Sequence, residues 1–360
     1  MTDLRYQNVT SDQQELSEVA AKLFDGSRDD PSRGSDLGLF GIGIGTEFGG
    51  SGGSAKDLAI IVEAAGAALA SSNVADSTMV TAPLFIPGSG LSSAIQQQWL
   101  DGQLCVSLPV ASPWQVAADL EARDGRIFGR WISLGAGRPD LVVVPVAGPD
   151  VDQLLLFDAH TKSSFDINPI DGVDVTRTLT EVRADGVQFD DAVACVTGPS
   201  LFRQLMARRA TAVALDAVGA ARSAFARTLT YAAVRTQFDQ HIGSFQAYQH
   251  RCANAYIELT MAQSLAFAAA DAIGTPEGVL LGLAAGRRAT GNATFVCGEA
   301  VQLHGGIGFT WEAGIHAFLK RSRMNEIIGR GCARARAALI ESDNEYDSNP
   351  IELGDEGTDE

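Results

Sequence analysis

From Leu201 to about Leu339, apolar residues recur at three- and four-residue intervals, and this stretch limits the possible folds more than any other. Leu215, Val218, Ala221, Phe225, Leu229 and Ala232 mark one face of a long helix. Three further helical stretches follow, over 245–273, 276–303 and 312 to about 328, rich in the Ala, Gly and Ser that let helices approach closely. Helices of this length are stable only when their apolar faces are covered. Residues 198–340 are therefore expected to form a four-helix bundle.

The chain upstream changes character twice. Residues 105–197 carry short β-rich runs, IFGRWIS, DLVVVPVAG, QLLLFDA and the alternating EVRADGVQFD, punctuated by Gly, Pro and Asp. DLVVVPV is apolar on both faces and reads as a central strand. Residues 1–104 are helical in pattern, with a capping-box spacing at Ser11 and Gln14 and an Ala-rich helix over 58–70. A further helix is expected near 94–100. The expected fold class is α+β, mainly α: an N-terminal helical domain (1–104), a middle antiparallel β domain (105–197) and the C-terminal four-helix bundle (198–340).

Charge narrows the function. The formal charge of −17 over 360 residues opposes binding to a phosphate backbone, so no nucleic-acid partner is expected. Nine acidic residues and no basic one lie between Glu341 and Glu360, leaving −8 for residues 1–340. Segment 341–360 is too charged to fold alone and is expected to be a disordered acidic tail. No apolar run approaches the roughly 20 residues a bilayer requires, and the polar start does not read as a leader, so no membrane partner is expected. Five scattered cysteines without a CxxC pair suit free thiols in a reducing cytoplasm. His160, His241, His250, His304 and His316 show no metal-ligand spacing.

The stretch GIGIGTEFGGSGG, residues 41–53, superficially resembles a dinucleotide fingerprint. That fingerprint needs a preceding strand and a helix opening on its last glycine, and neither is predicted here. A permissive turn is the simpler reading.

Taken with its flanks, the same segment resembles the stretch of acyl-CoA dehydrogenases that runs through a Gly-Gly turn into a helix, here the one carrying Glu63. The resemblance extends from about residue 10 to about 340, and three motifs carry it. GRWISLGAGRPDLVVV (129–144) looks like the family's Trp-Ile-Thr/Ser segment, which would set Trp131 and Ser133 against a flavin ring. YAAVRTQFDQHIGSFQAYQHR (231–251) is similar to its Arg-x-Gln-Phe-Gly…Phe-Gln segment. VQLHGGIGFTWEAGIHAFLKRSR (301–323) is similar to its Gln-x-x-Gly-Gly-x-Gly segment. By resemblance, Arg235, Gln237, Phe238, Gln246, Gln302, Gly305 and Gly306 would bind the FAD of a neighbouring subunit. The family has glycine where this chain has Asp239, and an added carboxylate opposes a pyrophosphate.

Family chemistry is α,β-dehydrogenation of an acyl-CoA thioester by FAD and a carboxylate base, usually with an electron-transferring flavoprotein as acceptor. The three places where members carry that glutamate are here Arg209, Asn254 and Gly329. Arginine does not act as a base at usable pH. The family's Leu-Thr-Glu-Pro…Gly-Ser-Asp loop is replaced by CVSLPVASPW, residues 105–114. Asp216, two turns beyond Arg209, is the best acid remaining; Glu258 is a weaker candidate, and Glu326, three residues before Gly329, lies on a different side of any helical turn. Kept cross-subunit motifs without a base resemble the short, non-basic subunits of heteromeric α2β2 actinobacterial members associated with steroid side-chain breakdown. The expected partner is then an acyl-CoA-dehydrogenase-like subunit in a heterotetramer. Two alternatives stay open: a self-sufficient homotetramer using Asp216, and a scaffold that holds a CoA ester or a partner without redox chemistry.

Overall fold

The computed structural model describes residues 10–24, 38–70, 73–85, 90–109, 120–135, 137–146, 152–161, 165–198 and 201–347. Helix α1, Ser11–Phe24, is capped one residue earlier than its spacing predicts. The Gln13 amide donates to Thr10 Oγ1 at 3.2 Å, and the Thr10 amide donates to Gln13 Oε1 at 3.3 Å. Helix α2, Ala55–Ala67, begins before the expected start at Leu58 because Ser54 and Asp57 close a capping box of their own. It stops before Ala70 because Leu69 turns left-handed, with φ 54°. Between them, residues 41–53 form short turns tied by Gly43 N–H to the Gly52 carbonyl at 2.8 Å, not a strand–loop–helix unit. Helix α3 spans Ser93–Leu100.

Eight strands follow: β1 (Val106–Ser107), β2 (Leu120–Arg123), β3 (Arg126–Leu134), β4 (Leu141–Val146), β5 (Asp152–Asp158), β6 (Phe165–Ile170), β7 (Leu179–Gln188) and β8 (Ala194–Gly198). They make two four-stranded sheets, β1-β4-β5-β8 and β2-β3-β7-β6. All pairs are antiparallel except β1 with β4. Side-chain alternation on β4 sends Val142 and Val144 into the core between the sheets, and Leu141 and Val143 into the helical core. On β5, Leu155 and Phe157 face the sheets while Leu154 and Leu156 face the helices. That double burial is why both strands read as continuous apolar runs. Pro145 is tolerated because β1 pairs β4 only at Leu141 and Val142, leaving one edge of β4 open further along.

The C-terminal helices are α4 (Leu201–Val234), α5 (Gln246–Asp271), α6 (Pro276–His304) and α7 (Ile315–Asp347), with a small hairpin of β9 (Thr236–Gln237) and β10 (Gln240–His241) after α4. At 1.5 Å per residue α4 is about 50 Å long. Its alanines 210, 212, 214, 217, 220, 221 and 224 are all buried, so α2, α6 and α7 pack close to its axis. Where α2 crosses α4, a methyl group on Gly219 would overlap the Glu63 carbonyl. Glu63 is itself fully buried and ion-paired with Arg222 at 2.7 Å. Helix α7 runs well past its expected end near residue 328. It continues to Asp347, so residues 341–347 are helical rather than disordered, and the rest of the acidic tail lies outside the described residues.

Candidate functional site

Asp216 lies at the junction of all three parts of the chain. Its Oδ1 accepts from Arg177 Nη2 at 3.0 Å, Arg321 Nε at 2.9 Å and Asn325 Nδ2 at 2.7 Å; its Oδ2 accepts from Arg321 Nη2 at 2.8 Å. Arg321 also donates to the Ala70 carbonyl at 2.6 Å and to Thr176 Oγ1 at 3.0 Å. Burial alone would raise the Asp216 carboxyl. The Arg321 and Arg177 charges, with hydrogen bonds from Arg321 and Asn325, outweigh burial and hold it far below the usual carboxylate range. Burial and the neighbouring Arg321 charge together pull Arg177 down to about 10, which leaves it cationic at neutral pH. A carboxylate enclosed by two guanidiniums and an amide has no affinity to spare for a substrate proton. The structure thus corrects the expectation for Asp216: it is an ionic pin joining α4, α7, the 171–177 loop and the end of the α2 segment.

The three positions expected to carry the base hold no carboxylate, and each has its own setting. Arg209 is 0% exposed. Its Nη1 donates to the Pro109 carbonyl at 3.0 Å, and its Nη2 stands 3.5 Å from Asp76 Oδ2, an ion pair too poorly aligned to be a hydrogen bond. Opposite it, burial raises the Asp76 carboxyl more than the Arg209 and Arg177 charges lower it. Gly329 lies inside α7 against Gly286 of α6. A methyl group there would overlap the Gly286 carbonyl and sit 3.0 Å from its Cα, so no side chain fits. Asn254 is exposed on α5. Glu326 is buried but held by Arg323 at 2.6 Å and by Arg330.

Strand β3 turns Ile127, Trp131 and Ser133 to its buried face. The Trp131 indole meets Phe165 edge-on at 6.0 Å within the core between the sheets. The strand register buries the ring in that core. Ser133 is buried where β3 bridges Pro109. The sequence reading missed Ser107 on β1, also buried, whose Oγ has no hydrogen-bond partner among the described residues. A lone serine in an apolar strand carries little signal, and only the orphaned oxygen marks it.

Most of the remaining predicted residues gather at one end of the bundle. Arg235, Gln237, Phe238, Gln246, Gln302, Gly305 and Gly306 are all exposed. Arg235 immediately precedes the β9–β10 hairpin, whose tip residues Phe238 and Asp239 have φ of 51° and 62°. Phe238 is 88% exposed and meets Phe245, the residue before Gln246, edge-on at 6.3 Å. Gly305 ends α6 with φ 65° and ψ −146°, a conformation that glycine alone adopts readily. A methyl group on Gly306 would meet nothing within 4 Å, so its backbone is open to a ligand.

An exposed guanidinium and open backbone amides at the same end of the bundle fit the pyrophosphate of FAD, and an exposed aromatic with exposed amide side chains fits its adenine end. Replacing Asp239 with glycine removes a left-handed non-glycine residue and a carboxylate at once. The variant is expected to gain about 1 kcal/mol of stability, read as a higher Tm, and to bind FAD more tightly. An unchanged Tm would show that the turn stores no strain.

Among the described residues, no cluster of three or more His, Cys, Asp or Glu side chains is placed to hold a metal, and no helix is long and apolar enough to cross a membrane. The model of the acyl-CoA dehydrogenase N-terminal domain matches residues 13–103, and that of the C-terminal domain matches residues 197–340. Acyl-CoA dehydrogenase FadE34 of Mycobacterium tuberculosis is 30% identical over 289 residues, which are 79% of this chain but only 38% of that relative. The fold superimposes on the ChsE4-ChsE5 complex from Mycobacterium tuberculosis with a TM-score of 0.78 at 19% identity, covering 97% of this chain and 100% of the other. It superimposes on the Tcur3481-Tcur3483 steroid ACAD, G363A variant, with a TM-score of 0.75 at 20% identity, covering 93% and 99%. With family domains matched at both ends of the chain and the fold shared throughout, the chain belongs to the acyl-CoA dehydrogenase family of FAD-dependent oxidoreductases.

Proposed function

We propose that this chain is the subunit of a heteromeric acyl-CoA dehydrogenase that carries no base of its own and completes the FAD site of a partner subunit. The observation that carries this reading is the contrast between two sites in one chain. The end of the bundle that faces outward keeps its cation, amides and open glycines, while Arg209, Asn254 and Gly329 leave no carboxylate where a base is needed.

α,β-Dehydrogenation removes a proton from the α-carbon to a carboxylate and a hydride from the β-carbon, so two C–H bonds break and one C=C bond forms. When bound, FAD supplies the hydride acceptor. In this division of labour Arg235 neutralises the pyrophosphate, Gly305 and Gly306 let the backbone reach it, and Gln246 and Gln302 orient the adenine end. The partner brings the glutamate. Arg209, bonded to the Pro109 carbonyl and paired with Asp76, occupies the place where this chain's own base would stand. The likeness of the fold to that of the Tcur3481-Tcur3483 steroid ACAD supports bulky steroid side-chain CoA esters as the substrate class. An electron-transferring flavoprotein is the proposed acceptor.

The test is to express this chain alone and together with an acyl-CoA-dehydrogenase-like subunit encoded beside it, then measure mass and flavin per subunit. A flavin-poor lone chain that becomes a yellow tetramer with its partner is the expected result. Oxidation of acyl-CoAs at ordinary enzyme rates by the lone chain would overturn the proposal. A complex that forms without flavin would instead favour a scaffold.

A further inference from the structure

Two segments about 70 residues apart in sequence build the outward-facing cofactor edge, and one side chain touches both. His304 is the last residue of α6, immediately before Gly305, and is buried. Its Nδ1 lies 2.7 Å from the Ala300 carbonyl, one turn back. A carbonyl only accepts, so Nδ1 carries a proton and the ring is fixed in orientation. Its face stacks on Tyr231 of α4, with centroids 4.6 Å apart and planes 16° from parallel. Tyr231 is one turn before Arg235, whose backbone N–H donates to the Tyr231 carbonyl at 2.9 Å. On its other side, His304 borders the loop itself: a methyl group on Gly308 would come within 3.1 Å of His304 Cβ.

We infer that His304 is a positioning residue for flavin binding, locking the Gly305–Gly306 loop to the Arg235 end of α4 through its stack on Tyr231. The inference rests on the reading that this edge binds FAD. Neither motif alone sets the distance between the guanidinium and the open amides; they belong to different helices. Holding one pyrophosphate between them requires the two to keep a fixed separation, and an aromatic stack with its ring oriented by a hydrogen bond supplies it.

Three variants of the full chain, His304→Leu, His304→Phe and Arg235→Ala, are assembled with the flavin-bearing partner, and FAD affinity, acyl-CoA KM and Tm are measured. His304→Leu is expected to weaken FAD binding by about tenfold, the scale of one aromatic stack, with acyl-CoA KM unchanged. His304→Phe, which restores the ring, is expected to recover most of that loss. In the full chain alone, hydrogen exchange at amides 305–309 is expected to quicken in His304→Leu and not in His304→Phe. Wild-type FAD affinity in His304→Leu beside a weakened Arg235→Ala overturns the inference and leaves the functional reading standing. An unaffected Arg235→Ala overturns the functional reading. Unchanged exchange in the lone chain overturns the inference whatever the partner does.

Discussion

Replacing Asp216 with asparagine is expected to cost about 3–5 kcal/mol of folding stability, the range found when one member of a buried ion cluster is removed. Two guanidiniums, Arg177 and Arg321, would remain buried with no anion between them. The asparagine would also turn an amide toward groups that only donate. Because the cluster reaches α4, α7, the 171–177 loop and the Ala70 carbonyl, the loss falls on the joint between the three parts rather than on any one. Urea denaturation of wild type and variant measures it directly. The pH dependence follows from the sign of the shift. The folded carboxyl is depressed, so its contribution is present above the unfolded aspartate value of about 3.9 and is lost as pH falls through the folded value. The gap between wild type and variant should therefore be full at neutral pH and shrink progressively below about pH 4. A variant with wild-type stability that had lost only proton abstraction would return Asp216 to the role of base.

This residue also shows where sequence reading stops. The 3.6-residue period of α4 and the doubly apolar β4 are local patterns, each set by which faces are buried, and both were legible. Helix starts were legible to within a few residues, because two side chains compete for the cap and only packing decides between Ser11 and Thr10. β1, β2, β6 and β8 escaped because each is only two to six residues long and none carries the long run of buried apolar residues that marks β4. The exposed cofactor residues are contiguous in motifs and were readable as a set, while their common anchor was not. Tyr231 and His304 are unremarkable apart, and only the fold stacks them. Asp216 fails for the same reason. Its partners lie 39, 105 and 109 residues away, so a residue that looks like an unclaimed acid is fully claimed in three dimensions.

Grafting the family's glutamate onto position 329 is expected to unfold the bundle locally rather than create a base. The obstruction begins at Cβ, before any carboxylate is reached. It is backbone on both sides, the Gly286 carbonyl and Cα meeting the Gly329 chain, so no rotamer relieves it. Helices α6 and α7 would have to separate around a contact that also brings Gly286 near the Ala210 side chain of α4. Overpacking of this kind costs about 3 kcal/mol or more. Gly329→Ala should therefore lose nearly as much stability as Gly329→Glu in the same thermal melt, a ranking that charge effects would not produce. Neither variant should gain dehydrogenase activity in the lone chain. A soluble Gly329→Glu protein with wild-type Tm would show that the helices part easily there and that one substitution installs a carboxylate. The tight contact favours the opposite outcome: the helix packing of α6 against α7 keeps position 329 a glycine, and under the proposed division of labour the carboxylate comes from the partner subunit.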